Sequence, residues 1–202
     1  MSRLEKSNLK KKQIIEAAMA VLYERGFCDM KIKDVALKAD VSAGLVCHHF
    51  ETKKGLLLAS MEYAVSLYGQ RLQQLGGRGI PPRKAVLSIV QMALDPSQFG
   101  KELSATWLAL YYLAACDDDF DACLEAYKQR SFDTLLSLTG QIYDEEIAVK
   151  HARTVTSLID GFWLQNCSRT HGRKPRRSTN TMDQAVAIVD QLLSPPVTVA
   201  DT

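Results

Sequence analysis

The sequence predicts an all-α protein, and three observations support this class. Apolar residues recur at steps of three and four residues along almost every segment, which is the spacing of one helix face. The strict alternation of apolar and polar residues that is typical of strands is scarce. Segments rich in glycine and proline, such as GGRGIPP, break the periodic pattern. The periodicity predicts about nine helices, over residues 7–25, 31–38, 42–49, 52–75, 83–94, 98–115, 119–141, 144–167 and 181–193.

The first three predicted helices are placed by the residues that end or begin them. Gly26 follows the first helix and fits the left-handed position at which many helices end. The second helix is short, and a turn of three residues, 39–41, leads from it to the third. Ser42 is predicted to cap the third helix because its hydroxyl accepts a hydrogen bond from a backbone N–H that has no partner within the helix.

The later helices follow the same logic. Thr52 is predicted to cap the fourth helix, which has a long apolar stripe. The last two long helices carry apolar faces that contain Ile147, His151, Val155, Leu158, Ile159 and Phe162 on one and Val186, Val189, Leu192 and Leu193 on the other. One copy of the chain is not expected to bury both faces, which favours a homodimer; coverage within one chain is the alternative. The polar, basic loop at residues 169–180 is expected to be solvated rather than functional.

Charge is distributed unevenly along the chain. The 202 residues have a formal net charge of only +2. Residues 1–55 carry eleven Lys or Arg against seven Asp or Glu, a net of +4, whereas residues 56–169 have a net of −3. A basic head on a mildly acidic body indicates that the head binds a polyanion.

The cysteines and the apolar runs bear on the compartment. The five cysteines, Cys28, Cys47, Cys116, Cys123 and Cys167, form no C-x-x-C pair and are odd in number. Because no signal peptide precedes them, they predict reduced thiols in a cytoplasmic protein. The apolar runs are far shorter than the roughly 20 residues that a membrane span requires, so no membrane association is expected.

The N-terminal pattern of a long helix, a short helix, a three-residue turn and a second short helix predicts a helix-turn-helix. The small Ala36 lets the two short helices approach closely. The helix over residues 42–49 then presents its outer side chains to a DNA major groove. Lys53 and Lys54 oppose the dipole of the fourth helix, an arrangement that favours a DNA phosphate beside them.

The segment GFCDMKIKDVALKADVSAGLVCHHFETKKGLLLA, residues 26–59, resembles the DNA-binding segment of the TetR family of bacterial regulators. The shared features are Gly-Phe after the first helix, an alanine in the second, S-x-G at the start of the recognition helix, the closing His-Phe, and a Lys followed by Gly-Leu-Leu. The resemblance implies an N-terminal three-helix helix-turn-helix domain, residues 1–55, and a C-terminal helical domain for effector binding and dimerisation, residues 56–202. The expected DNA-binding residues are Lys31, Ser42, Ala43, Gly44, Leu45, Cys47, His48, His49, Lys53 and Lys54. Cys47 stands where many family members have tyrosine, which removes an aromatic contact with the DNA.

Other roles for Cys47, His48 and His49 are disfavoured. Adjacent residues on a helix point about 100° apart, so the three side chains cannot converge on one metal ion without further ligands. A Cys–His nucleophile pair meets the same objection, and no oxyanion or orienting group is evident. We therefore predict no metal, no cofactor and no catalytic residue, and the chain is not expected to be an enzyme. His49 has one structural alternative, which is packing against the domain core.

Two aromatic motifs in the body of the chain suggest a site for an organic cation. WLALYY places Trp107 and Tyr111 one turn apart, and IDGFW places Asp160 and Trp163 three residues apart. Aromatic rings and a carboxylate together recognise quaternary ammonium groups. The alternative is that the aromatic residues belong to the core, but an unpaired acid in an apolar core is costly.

The body, notably TWLALYYLA and SLIDGFWLQN, is similar to the BetI-type repressors. That subgroup controls choline uptake and its conversion to glycine betaine and responds to choline, so the resemblance implies a choline-like effector. In this family the last two long helices pair across a two-fold axis as a four-helix bundle.

The sequence therefore predicts a cytoplasmic, ligand-responsive transcriptional repressor. It is expected to bind a palindromic operator in double-stranded DNA as a homodimer and to sense choline or a related quaternary ammonium compound. A first alternative is a TetR-type regulator of efflux or lipid metabolism that senses a lipophilic drug or acyl-CoA. A second is an enzyme or small-molecule binding protein without DNA function, for which no nucleophile–base pair, phosphate loop or metal-spaced cluster is found.

Overall fold

A computed structural model describes residues 2–76, 79–95, 100–167 and 179–194, and these residues form nine α-helices and no strand. The all-α prediction is confirmed. The helices are α1 (Arg3–Asp29), α2 (Ile32–Lys38), α3 (Ala43–Phe50), α4 (Lys53–Gly76), α5 (Pro82–Ala93), α6 (Lys101–Ala114), α7 (Asp118–Thr139), α8 (Glu145–Cys167) and α9 (Thr179–Leu192). The predicted solvated loop at residues 169–180 lies, up to residue 178, outside the described residues.

The chain forms two compact units. Unit 1 consists of residues 1–70 and 100–127, and unit 2 of residues 71–99 and 128–202. Unit 1 therefore contains α1, α2, α3, most of α4, α6 and the first part of α7, whereas unit 2 contains α5, α8 and α9. The predicted boundary between residues 55 and 56 divides a DNA-binding domain from an effector-binding domain. It is a functional division that differs from the two packed units, and it stays a prediction.

The core of unit 1 holds the helix-turn-helix in place. Helix α1 packs against α2 and α6, and α2 packs against α3. Completely buried side chains of unit 1 include Ile14 of α1, Val35 of α2, Val46 of α3, Leu56 of α4 and Leu110 of α6. Each buried aliphatic side chain of this size contributes about 1.5–3 kcal/mol, so the short helices α2 and α3 depend on this packing rather than on their own helical propensity.

Unit 2 is held by α5, α8 and α9, which pack against one another. Arg83 of α5 donates a hydrogen bond of 3.0 Å to the Asp190 carboxylate and another of 3.0 Å to the Ser194 hydroxyl, which joins the start of α5 to the end of α9. One copy of the chain was not expected to bury the apolar faces of both α8 and α9. Unit 2 buries part of each face, namely Val155 and Ile159 on one and Val189 and Leu193 on the other, whereas Ile147 is 41% exposed. The homodimer stays a prediction.

Helix α1 is longer than the sequence predicted. It begins at Arg3 rather than residue 7, where Ser2 and Glu5 form a capping box with N–H···O distances of 2.8 and 3.1 Å. At the other end Gly26 has the expected positive φ of 71°, but its ψ of 167° lies outside the left-handed helical region. The chain therefore kinks at Gly26 and makes one further turn to Asp29 instead of ending at Arg25.

Both predicted caps are confirmed. The Ser42 hydroxyl accepts a hydrogen bond of 3.1 Å from the backbone N–H of Leu45 and caps α3. The Thr52 hydroxyl accepts one of 3.0 Å from the backbone N–H of Gly55 in the first turn of α4. The caps fix where α3 and α4 begin, and so they set which residues of α3 face outward.

Candidate functional site

The turn between α2 and α3 is tightly held. The backbone N–H of Val41 donates to the Ala36 carbonyl at 3.0 Å, and the Gln13 side chain of α1 donates to the Ala39 carbonyl at 2.8 Å. Asp40 takes a positive φ of 50°, which its short polar side chain tolerates better than most residues do. The turn is therefore anchored both to α2 and to α1, and α3 has a fixed orientation within unit 1.

The outer face of α3 is exposed. Five of the positions predicted to read DNA are exposed, namely Ser42, Ala43, Gly44, Cys47 and His48. Leu45 and His49 are half-buried. On the inner face Val46 and Phe50 are buried. A helix that is anchored on one side and presents small, polar side chains on the other fits the width of a DNA major groove.

His48 and His49 form a pair at the end of α3. Their ring centroids lie 5.5 Å apart in an edge-to-face arrangement. Burial lowers the pKa of His49, and the neighbouring charges of His48 and Lys11 lower it further. His49 is therefore neutral at pH 7, with one ring nitrogen as donor and the other as acceptor. Its half-buried position is compatible with packing against the domain core, and its predicted contact with DNA stays a prediction.

Metal and thiol chemistry find little support in the part of the chain that the structure describes. No group of three or more His, Cys, Asp or Glu side chains is placed to hold a metal ion among those residues. The five cysteines are free thiols. Burial raises the pKa of Cys123 to about 11, which keeps that thiol protonated and unreactive at neutral pH.

Lys53 and Lys54, both predicted to contact DNA, point to different partners. The Lys53 ammonium donates to the Cys28 carbonyl at the end of α1, at 3.0 Å. The Lys54 ammonium lies 2.7 Å from a carboxylate oxygen of Asp117 and 2.7 Å from one of Asp119. Hydrogen bonds to these two acids raise the pKa of Lys54, and the hydrogen bond from Lys54 lowers the pKa of Asp117.

The acidic pair changes what Lys54 can contribute to DNA binding. A DNA phosphate that approaches Lys54 would therefore compete with the Asp117 and Asp119 carboxylates for its ammonium group. Lys31, the third predicted basic contact, is exposed just before α2. Sequence reasoning missed the role of Asp117 and Asp119, although three consecutive aspartates at the start of a helix are a visible signal for a cation partner.

The residues predicted to bind the effector fall into both units. Trp107 and Tyr111 lie on α6 in unit 1, and Asp160 and Trp163 lie on α8 in unit 2. Trp107 is 8% exposed, while the other three are half-buried. Each of the four interacts with other residues of the chain. The predicted organic-cation site that contains all four residues stays a prediction.

Within unit 1 the structure adds two aromatic residues that sequence reasoning did not assign to the site. The ring centroids of Trp107 and Tyr127 of α7 lie 4.7 Å apart, and those of Tyr127 and Tyr68 of α4 lie 5.0 Å apart. We call Tyr68, Trp107 and Tyr127 the aromatic cluster. Tyr68 appeared in the sequence only as part of an apolar stripe, and no signal in the sequence linked it to Tyr127.

One buried hydroxyl lies next to the aromatic cluster in the chain. Ser104 precedes Trp107 by three residues on α6, is 2% exposed, and its Oγ has no hydrogen-bond partner in the structure. A buried hydroxyl without a partner costs about 1–3 kcal/mol. Such a group usually takes its hydrogen-bond partner from an ordered water or a ligand.

Helix α8 carries a shallow groove on its outer side. The groove has a volume of about 580 Å³, and the described residues that line it all belong to α8, namely Arg153, Thr154, Ser157, Leu158, Gly161, Phe162 and Gln165. The exposed Leu164 continues the apolar surface on the same helix. These residues, unlike the buried Val155 and Ile159, are accessible on the surface of α8.

Comparison with known proteins identifies the family. Residues 14–60 match the family model of the bacterial regulatory proteins of the tetR family, and residues 82–192 match that of the C-terminal part of BetI-type transcriptional repressors. The chain belongs to the TetR family. Its C-terminal part is of the BetI type, and TetR-family membership makes it a DNA-binding transcriptional regulator.

Individual relatives agree with this assignment. The HTH-type transcriptional regulator BetI of Brucella anthropi is 30% identical over 166 residues, which cover 82% of this chain and 86% of the relative. A TetR transcription regulator from Haloarcula marismortui has the same fold, with a TM-score of 0.77 at 18% identity over 92% of this chain and 97% of that one. A transcriptional regulator from Saccharomonospora viridis, crystallised in complex with choline, gives 0.73 at 20% identity over 91% and 94%. No helix among the described residues of this regulator is long and apolar enough to cross a bilayer.

Proposed function

We propose that this TetR-family regulator binds a near-palindromic operator as a homodimer and senses choline or a related quaternary ammonium compound. The exposed outer face of α3 carries the DNA-binding half of the proposal. The aromatic cluster of unit 1, with the unpartnered Ser104 hydroxyl three residues before Trp107, carries the effector half.

Helix α3 and the residues next to it are proposed to contact the operator. Ser42, Gly44, Cys47 and His48 lie on the exposed face that would enter the groove, and Lys53 follows on the next helix. Two recognition helices related by a two-fold axis read half-sites about 34–36 Å apart, or a multiple of that distance. The operator is therefore expected to be a near-palindrome with that spacing.

The groove on α8 supports the dimer. Leu158 and Phe162 are half-buried at its floor, and Gly161 between them lets a second helix approach closely. A two-fold axis that passes through this surface brings α8 and α9 of both protomers together as a four-helix bundle. An isologous interface of this kind uses the same α8 face twice, so one groove supplies both halves.

Choline chemistry matches the effector candidates. The trimethylammonium group is attracted to the faces of aromatic rings by about 0.5–2 kcal/mol per contact, and Tyr68, Trp107 and Tyr127 provide such rings. Tyr111 is a further aromatic group of unit 1, and the roles of Asp160 and Trp163 in unit 2 stay a prediction. The hydroxyl of choline is a hydrogen-bond partner of the kind that Ser104 lacks. The choline-bound relative from Saccharomonospora viridis supports the same effector class.

Replacing Lys53 by alanine should weaken binding to every DNA sequence. The Lys53 ammonium is held at the end of α1 by a single carbonyl, so it is available to a phosphate beside the first turn of α4. Loss of one phosphate contact lowers the slope of log affinity against log salt concentration by about one per bound protomer. Fluorescence anisotropy with a duplex from DNA upstream of its own gene, at several salt concentrations, measures this slope. Parental affinity and slope in the variant would remove Lys53 from the phosphate contacts.

Replacing Ser104 by alanine should weaken choline binding and leave binding of tetramethylammonium unchanged. The substitution removes a hydroxyl that has no partner within the protein, so stability should stay the same or rise slightly. Loss of a hydrogen bond to the ligand should raise the Kd for choline about fivefold to tenfold. Tetramethylammonium has the cationic group without the hydroxyl and is therefore the matched control ligand.

Isothermal titration calorimetry with both cations separates the outcomes. Equal losses for choline and tetramethylammonium, or no loss for either, would show that Ser104 does not recognise the choline hydroxyl. Absence of heat with both cations at millimolar concentration in the parent protein would reject the quaternary ammonium effector. That result would favour the regulator that senses a lipophilic drug or acyl-CoA. A protein that binds choline but no upstream DNA in a gel shift would instead support a binding protein without DNA function.

A further inference from the structure

The first part of α1 is a strongly basic helical segment, which we call the basic extension, residues 3–12. It contains five Lys or Arg residues and one Glu, a net charge of +4. Residues 13–55 contain six Lys or Arg and six Asp or Glu, and have no net charge. The net positive charge of the N-terminal head is therefore located entirely in the basic extension.

The basic extension does not take part in the packing of unit 1. Every residue from 4 to 12 is exposed, and Leu4 and Leu9 are 71% and 58% exposed. The segment precedes residues 14–60, which match the DNA-binding family model. It nevertheless forms regular helix with a complete capping box at its start. The basic extension thus projects from the domain as an ordered helix that carries charge and contributes nothing to the core.

The base of the basic extension lies beside the recognition helix. The Lys11 ammonium lies 5.7 Å from the ring centroid of Phe50, the last residue of α3. Two residues further along α1, the Gln13 side chain donates to the Ala39 carbonyl in the turn before α3. From Lys11 back to Ser2 the helix spans about 13 Å. The C-terminal end of the basic extension therefore lies beside the helix that is proposed to contact DNA.

The pattern of side chains favours a polyanion over a membrane surface. Lys6, Lys10 and Gln13 are spaced by four and three residues and so share one face of α1, and Lys10 donates to Gln13 at 3.1 Å. Leu4 and Leu9 are five residues apart, about 140° around the helix, and therefore do not form an apolar stripe. A helix that binds in the plane of a membrane needs such a stripe.

We propose that the basic extension is a second DNA contact, which binds the phosphates that flank the half-site read by α3. This proposal rests on DNA binding by α3 and adds a sequence-independent electrostatic contribution to it. The phosphate backbone of duplex DNA carries one negative charge per ~1.7 Å of helix axis, so a 13 Å cationic segment faces several phosphates at once. The basic extension should increase affinity for operator and for unrelated duplex by the same factor.

The test compares two double variants of the full chain. In the first, K6Q/K10Q, glutamine removes two charges of the basic extension while keeping a similar helical propensity. The control, K84Q/R130Q, removes two exposed charges from unit 2. Affinity for the upstream duplex and for a scrambled duplex is measured by anisotropy between about 50 and 200 mM salt. Circular dichroism verifies that both variants keep the parental helix content.

The expected result is a smaller salt slope for K6Q/K10Q, by about two per bound protomer, and an affinity lower by about tenfold or more for both duplexes. The control should keep the parental slope. Parental slope and affinity in K6Q/K10Q, with a parent that binds the upstream duplex, would overturn the proposal and leave DNA binding by α3 intact. A loss confined to the upstream duplex would also overturn it, because a phosphate contact is independent of sequence. A parent that binds neither duplex would contradict the proposed function itself.

Discussion

A glutamate in place of Gly44 should abolish operator binding and leave the fold of this regulator intact. Gly44 lies in the first turn of α3 on its exposed face. A Cβ added there would meet only the Ser42 Oγ, at an ordinary van der Waals distance of 3.9 Å. Glutamate is a better helix former than glycine, and a negative charge is favourable in the first turn of a helix. Stability should therefore stay the same or increase by a fraction of a kcal/mol.

In the complex the same side chain would be strongly unfavourable. A helix seated in the major groove brings its first turn close to the DNA backbone, and Gly44 allows that close approach. A carboxylate at this position faces phosphates and must be desolvated, which costs several kcal/mol and should lower affinity by about 100-fold or more. Anisotropy with the upstream duplex and thermal unfolding of the same preparations measure the two quantities.

Gly44→Ala is the control that separates size from charge. One methyl group should weaken DNA binding far less than a carboxylate does, and it should stabilise α3 slightly. Equal losses from alanine and glutamate would mean that any side chain is excluded at this position. Unimpaired binding by the glutamate variant would mean that the outer face of α3 does not enter a groove.

The helix-turn-helix was predictable from sequence because its determinants are local. The caps at Ser42 and Thr52 and the apolar spacing of α1 act within a few residues of one another, and their positions agree with the structure. The end of α1 was less predictable. Glycine signalled an interruption at residue 26, but it did not signal the ψ of 167° or the extra turn to Asp29, after which Met30 packs into the core with 1% exposure.

The candidate sites show the same division between local and distant determinants. Exposure of the α3 face follows from helical periodicity, so the sequence indicated which positions could contact DNA. The partners of Lys54, Asp117 and Asp119, lie at the start of α7, far away in the chain, and no periodicity connects them to Lys54. The packing of Tyr127 between Tyr68 and Trp107 likewise depends on how three helices assemble. Sequence reasoning found one member of that cluster because Trp107 belongs to a compact aromatic motif.

Replacing Gly55 by alanine should destabilise unit 1 and weaken DNA binding together. Gly55 lies in the first turn of α4, where its N–H donates to the Thr52 hydroxyl at 3.0 Å. A Cβ at this position would lie well inside van der Waals contact with the Phe50 carbonyl oxygen, which belongs to the backbone at the end of α3. The chain reverses between these helices at Glu51, whose φ of 59° already places a residue with a side chain in the left-handed region. The junction between α3 and α4 is therefore tightly packed, and the two helices must move apart to accommodate a methyl group.

The cost of that movement should be about 1–3 kcal/mol, which is typical of overpacking, and it should lower the melting temperature by roughly 2–10 °C. Because Lys53 is two residues away and α3 ends at Phe50, the same displacement shifts the predicted phosphate contact relative to the recognition helix. Operator affinity should fall as well, even at temperatures where the variant is fully folded. Thermal unfolding followed by circular dichroism measures the loss of stability. Anisotropy with the upstream duplex, at roughly 10–15 °C below the variant's melting temperature, measures the affinity of the folded variant.

Gly44→Ala is again the matched comparison, because it makes the same chemical change in a first helical turn where a Cβ has room. Alanine should gain up to about 1 kcal/mol of helical propensity at either position, so a loss of stability at Gly55 alone must come from the clash with the Phe50 carbonyl. If Gly55→Ala proved as stable as the parent, the close approach of α4 to the end of α3 would be incorrect. If it lost stability but kept full affinity, the spacing of α3 and Lys53 would not matter for binding. The glycine of the Lys-Gly-Leu-Leu motif would then serve the fold alone.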